Sequence, residues 1–534
     1  MIFSCGILPS QNLSVELIPG DVLEKSGFSQ YADKFNKYDK ETIKNDIENK
    51  DAWNWLEKNI PFFECPDKEI EEIYYFRWWV YRKHIKQTPS GYVITEFLPK
   101  VGHSKKYNTI VCAAGFHIEE GRWLRDPDYI RDYSNFWFRG EGELSDYSNW
   151  LIPAIWDYCK TTGDKQFAED LLPEFVAYYK SRENQNIHES GLFWSGDSKD
   201  GGEYSISGNG LRPTLNSYMY GTAKTIAEIA TFANLPLVAR EYEQKAGELK
   251  RLVEEKLWDN SDQFFKTVHL QKKESSVEEW NFDSMPDEHN VREIYGFIPW
   301  KFFLPGNEFS NAWKQILDNN GFKAPFGLTT AEQRHPRFMK YRVKRCQWDG
   351  PVWPFTTSLA LKALANFIKG YKQKIVTAKD YLYNFGTYAK SQYRISSYGE
   401  KLPWIDENIH PYSGIWLARS IIFELADPVV GKDLNHGFER GKDYNHSSFA
   451  DLLINDLIGL KARTDDFIEI NPMLTNNYWD WFCIENILYH GRNLTILYDK
   501  KGTKYARGKG FLVFIDGKLA ARSDRIQRMI LKME

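Results

Sequence analysis

From residue 67 onward the chain alternates apolar and polar positions with a helical period for almost four hundred residues. Segment 67–86 reads as one helix. Apolar residues at i, i+3, i+4 spacing predict others near 126–139, 145–161, 164–182, 213–233 and 236–257. Further helices are expected near 309–320, 356–370, 377–395 and 411–426, the third from last carried by Leu359, Leu361, Leu364 and Ala365. Residues 89–111 read as extended, with short strands at 91–95 and 109–111. Gly, Pro and Asp punctuate gaps of very unequal length. Ten or more helices with short loops on one side and long loops on the other predict a mainly α chain folded as an α/α toroid, two concentric rings of paired helices. No fixed-period repeat is visible, which argues against a solenoid.

The periodicity changes near residue 447. Segments 467–470, 493–498 and 510–515 read as strands, with turn signals at 499–502 and 516–518. The expected organisation is therefore an entry region at 1–66, a helical domain at 67–446 and a small antiparallel β-domain, sandwich-like, at 447–534. Within the entry region, residues 40–58 are charged and helix-prone. Trp479–Phe482 is expected in the β-domain core or at its contact with the toroid.

Length and charge narrow the functional classes. The chain has 534 residues and a formal net charge of −4. A core of ample size is available, and nothing draws the chain electrostatically to nucleic acid or acidic lipid. No apolar run reaches the ~18 residues of a spanning helix. The six cysteines are scattered without metal-ligand spacing and read as buried thiols. Cys5 lies where a trimmed lipoprotein signal would end, so a periplasmic or lipid-anchored form stands beside an ordinary N-terminus and a cytoplasmic location. Oligomeric state is not legible. No cofactor is expected. The run 283–288 has carboxylates for Ca²⁺ but no EF-type spacing, and reads better as a solvated charge run. Aromatic residues make up 16% of the chain, with 19 Trp and 31 Tyr. Their flat apolar faces and polar edges suit sugar rings, although a core of large side chains accounts for them as well.

Four loop stretches concentrate Gly, Trp and ionisable residues. In 115–126, Arg122, Trp123 and Asp126 are candidate sugar contacts, with Asp126 alternatively starting a helix. In 196–218, a glycine-rich loop holds Glu203 as a candidate acid, with Asp200 and Asp197 as rivals, and leads to Asn216 and Tyr218. In 347–354, Trp348, Asp349 and Trp353 surround a Gly-Pro turn and are candidates for a pocket wall. In 403–414, Glu407 lies between Trp404 and His410, as a candidate base or a buried ion pair. Two carboxylates suit glycoside hydrolysis because one must be protonated and the other ionised. An inverting enzyme separates them by roughly 6.5–9.5 Å to admit a water. The acid then needs burial or a negative neighbour to keep its proton.

At these loops the sequence resembles the six-hairpin, (α/α)6-barrel glycosidases of clan G, which include the family 63 α-glucosidases and the mannosylglycerate hydrolases. In that group the acid lies in Ser-Gly-Met-Asp-Asn-Ser-Pro ahead of an Asn-Ser/Ala-Tyr helix. Residues 200–206 match it, followed by Asn216-Ser217-Tyr218. The group's Trp-Arg-Gly-Pro-x-Trp turn is matched by residues 348–353, and its Glu-x-Tyr-Asp-Pro-x-Thr-Gly by 407–414. The likeness covers roughly residues 110–425. It implies an inverting mechanism, with Glu203 as general acid and Glu407 as general base. A toroid mouth narrowed by long loops favours exo action, and an α-glucoside or α-mannoside is the expected substrate. Three departures make this a divergent branch: Glu203 stands for Asp, Asp349 for Arg, and His410 for Asp. Phosphorylases, epimerases and polysaccharide lyases share such toroids, and Tyr218, His117 and Arg122 are of the types a lyase uses. A non-catalytic glycan-binding protein is the third reading.

Overall fold

The structure is a computed structural model that describes residues 21–275, 282, 285–341, 346–396, 398–424 and 439–533. Residues 1–20, which include Cys5, lie outside the description, as do Asp283 and Ser284 of the acidic run.

Twelve helices among the described residues pair into six outer–inner hairpins. The outer members are α1 (Lys68–His84), α3 (Asp128–Arg139), α5 (Leu172–Asn186), α7 (Pro236–Lys256), α9 (Asn307–Ile316) and α11 (Ala378–Ser391). The inner members are α2 (Ala114–Gly121), α4 (Leu151–Thr162), α6 (Pro213–Phe232), α8 (Ile294–Phe302), α10 (Pro354–Gly370) and α12 (Leu452–Ile458). Each successive inner pair is in contact. Buried polar bonds close the ring: Glu120, on α2, accepts from the backbone N–H of Phe449 and Asp451, capping α12 across the gap.

Local chemistry starts these helices where the structure has them. Pro213, Pro236 and Pro354 occupy the first turn of α6, α7 and α10, where a missing N–H costs nothing. The Asp67 carboxylate caps α1 by accepting from the N–H of Glu69 and Ile70, and Thr377 with Asp380 forms a capping box on α11.

Outer-to-inner connections are long, and inner-to-outer ones short. The described residues of 85–113, 187–212, 317–341, 346–353, 392–396, 398–424 and 439–451 lead to the N-terminal ends of the inner helices, whereas 122–127, 233–235 and 303–306 close the other end. The toroid expected from loop lengths is therefore present. Two expectations are corrected. Residues 114–121 form an inner helix, not a loop. Gly115 and Gly121 are there for packing: a Cβ on Gly115 would lie 2.3 Å from the Trp150 ring, and one on Gly121 2.3 Å from Ile130. Residues 109–111 do not form a strand; the extended stretch is a hairpin of Ile85–Thr88 with Gly91–Ile94.

The C-terminal region holds a five-stranded antiparallel sheet and a three-stranded one. Strands Phe467–Ile470, Arg492–Asp499 and Gly510–Ile515 lie where alternation predicts them. The boundary is later than 447, because α12 still belongs to the inner ring and the first strand starts at Leu460. Residues 62–64 add a strand to the larger sheet by pairing with Trp481–Tyr489, so the entry region ties both domains together. Trp479 is buried against Phe63 and Phe482.

Candidate active site

The long connections converge above the inner-helix N-termini, and Glu203 marks the centre. It sits in a loop between α5 and α6 that a buried network holds from below. Arg212 donates through Nε to Asp200 (2.8 Å) and through Nη1 to Ser205 and Ser207. Ser148 donates to the other Asp200 oxygen at 2.5 Å. Ser207 in turn donates its hydroxyl and its N–H to Glu293. Both Asp200 oxygens are thus engaged. Asp197 is also used up, accepting from the N–H of Ser198 and Tyr204.

Gly201 turns the loop at φ +69°, and a Cβ there would meet the Cys112 sulfur at 2.7 Å. Gly201→Ala is expected to destabilise the protein by about 1–2 kcal/mol through the left-handed backbone. It should also lower turnover, since the loop carries the acid; parallel melting and rate measurements check this.

Glu203 is half-buried. Burial raises its pKa above the usual carboxylate value, Asp197 and Glu407 push the same way, and a hydrogen bond from Cys346 opposes them. The Cys346 thiol (3.0 Å) and Trp348 Nε1 (3.2 Å) both donate to Oε2. Burial, then Glu203 and Glu407, push the Cys346 thiol well up, so it stays protonated as a donor. Because this bond favours the ionised carboxylate, removing it raises the Glu203 pKa further. Cys346→Ala should move the alkaline limb of kcat/KM to higher pH, and Cys346→Ser should leave it near the wild-type position. An unmoved limb in the alanine variant contradicts this role.

Trp348 is stacked on Trp353 with ring centroids 3.9 Å apart, and Trp353 anchors its own Nε1 on the Gln347 carbonyl at 2.8 Å. Both rings are buried. They form a support that aims an N–H at the acid, rather than an open platform. Asp349 is a turn-builder: Oδ2 accepts from the Tyr341 N–H at 2.8 Å and its carbonyl accepts from Met339 N–H.

Glu407 enters from the 392–451 connection and is buried. Its Oε1 lies 3.6 Å from Arg440 Nε, a neighbour that favours the ionised form. Asp406, next in the chain, pairs with Arg419 at 2.8 Å and accepts from the Glu407 N–H. His410 also builds a turn, its Nδ1 accepting from the N–H of Tyr412 and Ser413. Trp404 packs under Arg394, whose guanidinium carbon is 3.9 Å from the ring centre.

Several candidates lie elsewhere. Arg122 caps the C-terminal end of α2, about 12 Å along the helix from its start at 1.5 Å per residue. It is buried against Asp451 at 2.9 Å, and Trp123 Nε1 donates to the same carboxylate. Asp126 only accepts from the Asp128 N–H near the start of α3. Asn216 is buried and bonds the backbone of Phe193 and Arg212. Tyr218 is packed against Trp150 at 5.1 Å, in the bore of the toroid. Arg122 and Trp123 follow the C-terminal end of the helix 114–121, away from the long connections.

One acidic residue was missed. Glu96, on the 85–113 connection, is buried, accepts from the Tyr444 hydroxyl, and is held by Asn445 N–H on its carbonyl at 3.1 Å. Its nearby charges are Glu203, Glu407 and Arg440. The stretch Val-Ile-Thr-Glu-Phe has no motif, and its partners lie some 350 residues on. Among the described residues no group of three or more His, Cys, Asp or Glu is arranged to hold a metal ion, and no helix is long and apolar enough to cross a membrane.

The model of the mannosylglycerate hydrolase MGH1-like glycoside hydrolase domain matches residues 106–447, well over half of the chain. The chain belongs to this glycoside hydrolase family. The match spans the connections that carry Glu203 and Glu407. A second model, the C-terminal domain of glycosyl hydrolase family 65, matches residues 461–521, within the β-domain. Among solved structures, one titled sialidase is 42% identical over 95% of this chain, with a TM-score of 0.86. This chain covers 45% of that protein's length. The GH78 rhamnosidase of Bacillus sp. GL1 is 11% identical with a TM-score of 0.54, over 82% of this chain and 40% of its own, a likeness of fold alone. The GH63 mannosylglycerate hydrolase from Thermus thermophilus aligns at 12% identity and a TM-score of 0.47, over 73% of this chain and 99% of its own.

Proposed function

We propose that this chain hydrolyses the terminal glycosidic bond of a glycan or glycoside with inversion, Glu203 acting as general acid and Glu407 as general base. The observation that carries the reading is the contrast between two glutamates that feel each other in one site. Burial raises the Glu203 pKa, with both donors on a single oxygen. Arg440 stands beside Glu407 and favours its anion. In the reaction Glu203 gives its proton to the glycosidic oxygen as the bond to the anomeric carbon breaks. Glu407 takes a proton from the water that attacks the opposite face.

The sugar is a separate question. The 42% identical relative is titled a sialidase, which puts terminal sialosides first on the panel, ahead of the α-glucosides and α-mannosides expected from the sequence. NMR observation of the anomer first released from the best aryl glycoside tests the reading. A product of inverted configuration supports it; a retained configuration overturns the inverting assignment. An unsaturated product, or turnover that requires phosphate, would move the chain to a lyase or a phosphorylase.

A further inference from the structure

We infer that Glu96 is a third acidic group of the site, a binding residue whose Oε2 hydrogen-bonds an oxygen of the terminal sugar. This rests on the sugar-binding part of the proposed function. The carboxyl is split in its contacts. Oε1 accepts from Tyr444, whereas Oε2 is buried with no hydrogen-bond partner among the described residues. A buried carboxyl oxygen without a partner is costly, and a bound sugar oxygen would satisfy it.

The surroundings fix this side chain in place. Tyr444 lies against Phe97 at 4.5 Å and stacks on His446 at 3.7 Å. His446 packs on Trp353 and Phe355, on the wall that carries Trp348. Glu96 and Tyr444 therefore join the acid side of the site to the base side, where Arg440 lies over Phe97 at 4.8 Å. The ionisable groups that face Glu96 are Tyr444, Glu203, Glu407 and Arg440, with Cys112, Tyr133 and Tyr147 behind. Burial, then Glu203 and Glu407, push its pKa up to about 8, against the Tyr444 hydrogen bond and Arg440. Below that pH Glu96 is neutral and donates its O–H to the sugar; above it, the donor is lost and a third negative charge appears.

The test is equilibrium binding, followed by tryptophan fluorescence from pH 6 to 9, of free N-acetylneuraminic acid, glucose and mannose. Proteins are the wild type, Glu96→Gln and Glu96→Ala, each checked by its melting curve. The sugar that binds should bind the wild type more weakly as pH passes 8, more steeply if it is the anionic one. Glu96→Gln, a donor at every pH, should weaken binding at pH 6 by up to about tenfold and abolish that pH dependence. Glu96→Ala should weaken it by roughly 10–100-fold. Equal affinity of the alanine and glutamine variants, a pH dependence unchanged in Glu96→Gln, or no binding of any of the three sugars to wild type overturns the inference. Binding with these signatures but no hydrolysis of the matching glycoside would overturn the catalytic reading alone.

Discussion

Glu203→Gln and Glu407→Gln should each lower turnover by about 10²–10⁴-fold, the usual size of a general acid or base contribution, with melting temperatures close to wild type. The amide keeps the shape and can still accept from Cys346 and Trp348, so the loop has no reason to move. The two variants should differ in the leaving group they tolerate. Without its acid, Glu203→Gln should recover most of its rate on a glycosyl fluoride, because fluoride departs with little proton assistance. Glu407→Gln should remain slow on the same substrate, because the water still lacks its base. Equal behaviour of the two variants on the fluoride would contradict the division of roles, and near-normal turnover in either would remove that residue from catalysis.

Asp451→Ala should destabilise the protein by about 3–5 kcal/mol without any contact to the site. The Asp451 carboxylate accepts from Arg122 Nε at 2.9 Å, Trp123 Nε1 at 2.8 Å and Lys362 Nζ at 2.8 Å. All four residues are buried. Alanine would leave the Trp123 indole N–H without its partner and the two cations with only their longer contacts, Arg122 to Asp157 at 3.5 Å and Lys362 to Asp456 at 3.2 Å. The effect is large because the network joins α2, α10 and α12 at the point where the inner ring closes. It also gives a pH dependence. Burial pushes the Asp451 pKa up, but Arg122 and Lys362 more than offset this and hold it below the usual carboxylate value. The stabilisation is present above the unfolded value near 4 and is lost as pH falls through the lower folded value. Denaturant unfolding of wild type and variant from pH 7 to 3 checks both: the difference should shrink toward acid pH. A variant as stable as wild type at pH 7 would show that the network contributes nothing. Asp126→Ala, at a half-buried position close after Arg122, should change stability by no more than about 0.5 kcal/mol.

These two predictions also separate what was legible in the residues from what was not. Glu203 and Glu407 stand in loops marked by glycine, proline and tryptophan, and a local pattern of that kind survives in the sequence. Arg122 stands in a stretch equally rich in glycine and charge, yet there the glycines serve helix packing against Trp150 and Ile130. Whether a glycine turns the chain or admits a neighbouring ring is not encoded within its own stretch. Glu96 carries no local signal, since its environment comes from Tyr444, far along the chain.

Sequence alone determined the helical toroid, the alternation of long and short connections and the strands of the β-domain. Periodicity and loop chemistry are properties of neighbouring residues, and these features depend on little else. Only the tertiary structure decided that Asp349 Oδ2 and His410 Nδ1 accept from turn N–H groups, that Arg212 and Ser148 take both Asp200 oxygens, and that Arg122 lies at the far end against Asp451. It also decided that Cys346 and Trp348 share one oxygen of Glu203, and that Tyr444 meets Glu96. Each of those roles depends on which partner fills a side chain's hydrogen bonds, and the partners come from connections that meet only when six hairpins close into a ring.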